Sequence, residues 1–197
     1  MPSSATMALV AYLLGSIPFG YLLVRVFRGE DIRESGSGNI GATNVARSAP
    51  MLGLATLLLD GGKGFLAVTI ASRLGGDPAL AALCAVLGHI FSVWLRFRGG
   101  KGVATAVGSY AALSPDVTAV CLVVFVLLLG SFRFVSLASC TAIALFPLMA
   151  FVMHGSQFPP AFYGMSAMSA ILIVVKHRDN IERMLAGTEP RVGVKRK

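Results

Sequence analysis

The chain of 197 residues is 55% hydrophobic and 13% charged, with a formal net charge of +8 at pH 7. A soluble domain carries about 25% charged residues, so this composition excludes a water-soluble globule and argues for a polytopic, all-α membrane protein. The basic excess would suit nucleic acid, but the placement of the basic residues speaks against it.

Seven apolar segments are expected in chain order, at residues 5–26, 50–74, 78–97, 102–113, 116–131, 134–154 and 160–176. Most approach the ~20 residues that cross a hydrocarbon core. The first has no basic region before it and no A-x-A site after it, so it reads as a retained span. The second carries Asp60-Gly61-Gly62-Lys63-Gly64, expected to interrupt the span. Asp60 and Lys63 stand at i,i+3; they either neutralise each other around a glycine kink or serve a ligand. His89, in the third, reads first as a hydrogen-bonding residue between helices. The fourth, GVATAVGSYAAL, is short enough to be a thin crossing or a half-helix packed inside protein. Turn residues punctuate the chain at Gly75-Gly76-Asp77-Pro78, Ser114-Pro115 and Gly155 to Pro160. Cys84, Cys121 and Cys140 lie in apolar runs without metal or redox spacing and read as small hydrophobes. Trp94 and Tyr12 read as interfacial or packing aromatics, and His154 as incidental.

Charge assigns the sides. Fifteen of the 17 Lys and Arg residues fall after the first, third, fifth and seventh segments; the exceptions are Arg73 and Lys63. The positive-inside rule makes those loops cytoplasmic and places the N-terminus outside. Lys195-Arg196-Lys197 then reads as a lipid-facing anchor.

Three polar stretches share the basic face. The first runs from Ser37 through Gly38, Asn39, Ile40, Gly41, Ala42 and Thr43 to Asn44, with Arg47 three residues on. The second is Arg98-Gly99-Gly100-Lys101-Gly102, and the third is Lys176-His177-Arg178-Asp179-Asn180-Ile181-Glu182-Arg183. Glycines let successive N–H groups point at one anion, and Ser37, Asn39, Thr43 and Asn44 add side-chain donors. Arg47 and Lys101 supply charge, and the pattern points to a phosphate site with His177 nearby. The GGKG run is not a Walker A motif, because Val103 follows Gly102. The spacing of Ile181, Met184 and Leu185 suggests a short helix on the membrane surface.

The motifs SGNIGATNVAR, LDGGKG, GHIF, FRGGKGVAT, SLAS and HRDNIERMLAGTE, in this order from about residue 5 to 189, resemble the bacterial acyl-phosphate:glycerol-3-phosphate acyltransferase family. The resemblance implies a single integral domain over residues 1–197, with a basic tail from about 190, in the bacterial inner membrane. Its substrates would be acyl phosphate and glycerol 3-phosphate, and acyl transfer to the sn-1 hydroxyl would give lysophosphatidic acid and inorganic phosphate. It implies no metal, no cofactor, no nucleic acid, contact with membrane lipid and a monomer. Carried over by motif, Ser37, Gly38, Asn39, Gly41, Thr43, Asn44 and Arg47 form one phosphate-binding segment. Lys101 with Gly99, Gly100, Gly102 and Thr105 forms the second; His177, Arg178, Asn180 and Glu189 complete the pocket. Ser37, Arg47, Lys101, His177 and Asn180 are the expected catalytic group, with Asp60, Lys63, His89, Ser136 and Ser139 as supporting residues. Two other classes suit the residues alone: a transporter for a phosphorylated solute, and a scaffold that binds anionic lipid.

Overall fold

The computed structural model describes residues 3–193, all of whose regular structure is helical. The Lys195-Arg196-Lys197 cluster lies outside the described residues. The chain divides between Leu113 and Ser114 into two compact units.

The first unit holds α1 (Ser4–Ser16), α2 (Phe19–Arg28), α3 (Ala42–Ser48), α4 (Pro50–Arg73), α5 (Pro78–Ile90) and α6 (Val103–Leu113), with short 3-10 turns at Ile32–Glu34 and Val93–Leu95. Local chemistry sets several boundaries. Ser3 accepts a hydrogen bond from the Thr6 amide to open α1, and Asp77 caps α5 through the amides of Ala79 and Leu80. Pro50 and Pro78 each stand in a first helical turn, where a missing N–H costs nothing. Pro18 acts differently. It has no N–H for the carbonyl of Leu14, which accepts from Ile17 instead, and Ile17 turns out of helical geometry at ψ 117°. The first apolar segment is therefore two helices and not one.

The second segment departs from expectation in the opposite sense. α4 runs unbroken from Pro50 to Arg73, straight through Asp60-Gly61-Gly62-Lys63-Gly64. Gly61 and Gly64 serve as docking surfaces for α6, while Gly62 faces open space. A Cβ on Gly64 would lie 2.1 Å from the Thr105 carbonyl oxygen, and one on Gly108 would lie 1.9 Å from that of Gly61. The same device joins α1 to α5, where Gly15 meets the Ala85 carbonyl and Gly88 meets that of Tyr12. Small residues let helix backbones touch, which is how helices associate where no water drives them together. The third segment ends as a helix at Ile90, and residues 91–102 fold back along its last turn.

Two apolar clusters mark the ends of this unit. Met7, Ala11, Ala67, Ala71, Ala81 and Ala85 form one; Val24, Ile32, Ile40, Val45 and Leu95 form the other. Between them, near the middle of α4, lies a layer of buried polar side chains that includes Ser16, Thr56, Asp60, Lys63, His89, Ser92 and Thr105.

The second unit holds α7 (Pro115–Phe132), α8 (Val135–His154), α9 (Pro160–Lys176) and α10 (Arg178–Leu185). α8 continues through Pro147, and α9 gives way to α10 at His177. The stripe expected along α10 is only partly buried. Ile181 and Met184 are half-buried, Leu185 is 85% exposed, and the residue turned fully inward is Asn180. Cys121 is buried and the other two cysteines are half-buried; all three are free thiols. His154 has a partner after all: its Nε2 stands 2.8 Å from the Asp116 carboxylate.

Among the described residues, five helical stretches are long and apolar enough to cross a membrane: Ser4–Arg28 across the Pro18 break, Pro50–Arg73, Pro78–Leu95, Pro115–Phe132 and Val135–Gln157. Val103–Leu113 and Pro160–Lys176 are apolar but shorter. Exposed Leu57, Leu58 and Leu66 on α4 and Val123, Val126 and Leu127 on α7 are the side chains that lipid would cover.

Gly108→Val should push α4 and α6 apart, because backbone atoms of Gly61 fill the space the side chain needs. Overpacking of this kind costs about 1–3 kcal/mol or more. Gly130→Ala, with open space around it, should leave the thermal unfolding midpoint in detergent unchanged.

Candidate active site

The polar loop before α3 is shaped by one side chain. Asn44 is buried; its Oδ1 accepts from the Ser37 amide at 2.9 Å, and its Nδ2 faces the carbonyls of Asn39, Ser35 and Ile32 at 2.9, 3.0 and 3.3 Å. Its amide hydrogens are spent inside the loop. The structure thus turns Asn44 from an expected ligand donor into the loop's organiser. Gly36 has φ +60°, and a Cβ there would strike the Asn44 oxygen at 2.3 Å. Asn39 folds its Oδ1 back onto the Gly41 amide at 2.9 Å. Ser37, Gly38 and Thr43 remain exposed on the loop surface, while Gly41 is half-buried at the start of α3.

The cations around this loop differ in their commitments. Arg33 is clamped on Asp31 (Nε to Oδ1, 2.9 Å) and lies over the Tyr21 ring. That hydrogen-bonded guanidinium lowers the Asp31 carboxyl to a pKa of about 2. Arg28 reaches Glu30 at 3.1 Å and the Ser48 carbonyl at 2.9 Å. Arg47 is exposed, and no carboxylate among the described residues pairs with it.

The second loop belongs to the same end of this unit. Leu95 packs into the cluster of Val24, Ile32, Ile40 and Val45, three residues before Arg98. From there Gly99 and Gly100 donate their amides to the carbonyls of Ile90 and His89, at 3.1 and 3.0 Å. Both glycines face α5: a Cβ on Gly99 would lie 2.0 Å from the His89 carbonyl oxygen, and one on Gly100 would lie 2.2 Å from His89 Nε2. Gly102 takes φ +87° and leads into α6, with Lys101 half-buried between the glycines and Thr105 buried one turn on.

Beneath this loop lies the buried polar layer. The Lys63 ammonium touches three acceptors: the Asp60 carboxylate at 2.6 Å, the Ile17 carbonyl at 2.6 Å and His89 Nδ1 at 3.0 Å. An ammonium has three hydrogens, so these contacts saturate it. Lys63 is thereby a buried structural cation. Thr105 Oγ1 stands 3.2 Å from the same His89 nitrogen, and Ser92 Oγ donates to the Ser16 carbonyl at 2.6 Å. Sequence reasoning missed Ser92. The readable signal was Pro18, which ends α1 and leaves the Ser16 carbonyl at a helix C-terminus.

In the second unit, the buried His177 places Nδ1 2.8 Å from the Ile173 carbonyl. A carbonyl only accepts, so Nδ1 carries a hydrogen, and whenever the ring is neutral its lone pair lies on Nε2. Asn180 and Glu189 form a separate knot. Glu189 Oε1 accepts from Asn180 Nδ2 at 2.7 Å and Ser136 Oγ at 2.8 Å, and Oε2 accepts from Arg183 Nε at 2.8 Å. Arg183 is the member the sequence did not single out. Burial raises the Glu189 pKa, but the hydrogen bonds from Asn180, Ser136 and Arg183 prevail and hold the carboxyl below its ordinary range. Ser139 is buried on α8, whereas Arg178 is exposed and paired with Asp179 at 3.2 Å.

The chain matches the profile of the family described as glycerol-3-phosphate acyltransferase over residues 5–187. It is 47% identical to the glycerol-3-phosphate acyltransferase of Mesorhizobium japonicum, over 93% of each chain. It is 46% identical to that of Geobacter sulfurreducens, over 92% of this chain and 94% of the relative. Among solved structures it is similar to the crystal structure of PlsY, an integral membrane glycerol 3-phosphate acyltransferase, in its glycerol 3-phosphate form. That likeness has a TM-score of 0.91 and 39% identity, over 96% of each chain. The lysophosphatidic acid form of PlsY gives a TM-score of 0.87 at 38% identity, over 96% of this chain and 95% of that one.

Asn44→Ala would leave buried backbone groups unpaired, each costing about 1–3 kcal/mol. The amides of residues 35–44 should then lose protection in hydrogen exchange while those of α5 keep theirs. Glu189 should make the second unit acid-sensitive. A carboxyl with a depressed folded pKa contributes stability above its unfolded value near ~4.3, and that stability is lost as pH falls through the folded value. Glu189→Gln should therefore narrow the gap between unfolding midpoints at neutral and acid pH.

Proposed function

The chain belongs to the glycerol-3-phosphate acyltransferase family, and from that membership we propose that it acylates the sn-1 hydroxyl of glycerol 3-phosphate with acyl phosphate as donor. The products are lysophosphatidic acid and inorganic phosphate, and the chemistry takes place at the cytoplasmic face of the bacterial inner membrane. The observation that carries this reading is the pairing of two anion-seeking loops on one apolar cluster. Leu95 seats the Lys101 loop against the segment that presents Ser37 and Arg47.

Both substrates bear a phosphate, which suits the half-buried Lys101 and an Arg47 that pairs with no carboxylate among the described residues. The donor is a mixed anhydride whose carbonyl is already activated. The glycerol oxygen attacks that carbon directly, the ester C–O bond forms, and the bond from the carbonyl carbon to the phosphate oxygen breaks. No covalent enzyme intermediate is required. Lys101 and Arg47 hold the phosphates and stabilise charge on the leaving group; Ser37, with the exposed loop around it, orients the acceptor. The hydroxyl proton goes to the phosphate of the substrate or to His177, whose Nδ1 bond to Ile173 leaves Nε2 as the basic nitrogen. The side chains of Asn44 and Lys63, both committed internally, act by shaping the site.

Purified protein in detergent, given acyl phosphate and glycerol 3-phosphate, should release phosphate and form the sn-1 ester. A folded preparation that releases none under any lipid condition would overturn the reading in favour of transport or scaffolding. Lys101→Ala should lower kcat/KM by about 10²–10³-fold, the cost of one transition-state donor. An unchanged pH–rate profile in His177→Gln would assign the proton to the substrate's own phosphate.

A further inference from the structure

Between the end of α5 and the Lys101 loop the chain makes a tight turn whose side chains are sorted by exposure. Ser92 and Leu95 are buried, whereas Val93, Trp94, Arg96, Phe97 and Arg98 are exposed, Trp94 at 63% and Phe97 at 61%. The buried pair fastens the turn: Ser92 Oγ donates to the Ser16 carbonyl at 2.6 Å, and Leu95 packs with Val24, Ile32, Ile40 and Val45. The Ser92 carbonyl accepts the amides of both Leu95 and Phe97, at 3.1 and 2.8 Å, and the Leu95 carbonyl accepts that of Arg98 at 3.0 Å. The turn closes through two consecutive residues of positive φ, Arg96 at 52° and Phe97 at 62°, and neither is a glycine. Side chains adopt that region at a steric cost that glycine escapes. Strain therefore holds a guanidinium and a phenyl ring at the surface, where a glycine would present neither.

We propose that this turn, from Val93 to Arg98, is a binding surface for anionic phospholipid headgroups at the membrane interface. Two observations converge on that occupant. The first is the mixture of groups. The exposed Leu57, Leu58 and Leu66 of α4 suit hydrocarbon alone, whereas here an indole and a phenyl ring alternate with two arginines. Aromatic rings with a polar edge gather where acyl chains meet headgroups, and long cationic side chains beside them reach outward to the phosphates. The second is charge. No carboxylate among the described residues pairs with Arg96 or Arg98, so neither guanidinium is neutralised from within the unit. A guanidinium offers paired N–H donors to phosphate oxygens, and basic residues at a bilayer surface gather anionic lipid. Such a surface needs a bilayer around the apolar helices but no part of the acyl transfer. Its bearing on the enzyme is positional: the turn runs directly into Gly99 and Gly100, so headgroups bound here fix the level of the bilayer surface against that loop.

Trp94 is the only tryptophan in the chain, so its fluorescence reports on this turn alone. The full chain is reconstituted in phosphatidylcholine vesicles that carry a fixed share of brominated lipid, with bromine near the headgroup end of the acyl chain. In one series the brominated lipid is phosphatidylcholine; in the other it is phosphatidylglycerol with the same chains. Bromine should quench Trp94 in both, and the association constant read from the quenching should favour the anionic lipid by about fivefold at low ionic strength. That preference should fade in ~1 M salt, where screening acts within about 3 Å. In Arg96→Gln/Arg98→Gln it should drop below about twofold, while quenching by brominated phosphatidylcholine stays as it was. Equal quenching by the two lipids in the native chain would overturn the headgroup site without any variant having to fold. A Trp94 that bromolipid leaves unquenched and aqueous iodide reaches would give the turn to water or to a soluble partner, and would overturn it too. An undiminished preference in the double variant would overturn the assignment to Arg96 and Arg98.

Discussion

A helix that meets a proline leaves carbonyls without partners, and inside an apolar protein those carbonyls have no water to turn to. At Pro18, where α1 gives way to α2, the Ser16 and Ile17 carbonyls fall outside the helical ladder, and Ile17 keeps one backbone partner, the Phe19 amide at 3.2 Å. The answer is the Lys63 ammonium on the Ile17 carbonyl, with the Ser92 hydroxyl on that of Ser16. Once Lys63 is committed there, the rest of the layer follows. Its charge demands Asp60, its third hydrogen turns the His89 ring, and the ring sets the distance at which the Gly100 segment can pass. A local defect in one helix is thus repaired from α4 and from the turn after α5, and the repair also lies beneath the Lys101 loop.

Glycine gives this arrangement its short dimensions. Gly15, Gly64, Gly88 and Gly108 each face a backbone carbonyl across a helix contact closer than any Cβ would permit. Helices drawn that near bring short side chains such as Ser92 and Thr105 within reach of neighbouring helices. Larger residues at these crossings would separate the layer's donors from their acceptors, and each buried group left unpaired would cost about 1–3 kcal/mol.

Much of this was legible beforehand, for reasons that differ by residue. The apolar segments follow from periodicity and length, so their limits match the observed helices closely at 50–73 and 160–176. The two loops announced themselves as polar, glycine-rich interruptions, and their family motifs named the candidates. What composition could not assign was direction. Asn44 and Asn39 have the same side chain, yet one organises the loop from within and the other makes a local turn. Glycines in LDGGKG suggest an interruption on propensity, but α4 runs through them unbroken where Gly61 and Gly64 pack against α6. Leu185 satisfied a helical spacing and still projects outward, because the buried face of α10 is chosen by the Asn180–Glu189 knot rather than by apolar periodicity.

The sequence separation of Asp60 and Lys63 bears on biogenesis. They lie one turn apart on a single helix, so each can neutralise the other as soon as α4 winds, before any second segment arrives. Two isolated charges at the centre of a nascent helix would each oppose entry into a bilayer by about 2.5–3.5 kcal/mol. Paired in advance, they enter as a dipole of no net charge. Ile17 and His89, contributed by neighbouring segments, can then claim the remaining hydrogens of Lys63 after insertion. Had the carboxylate been placed on α1 or α5 instead, α4 would have to wait in the membrane with a bare cation until its partner came.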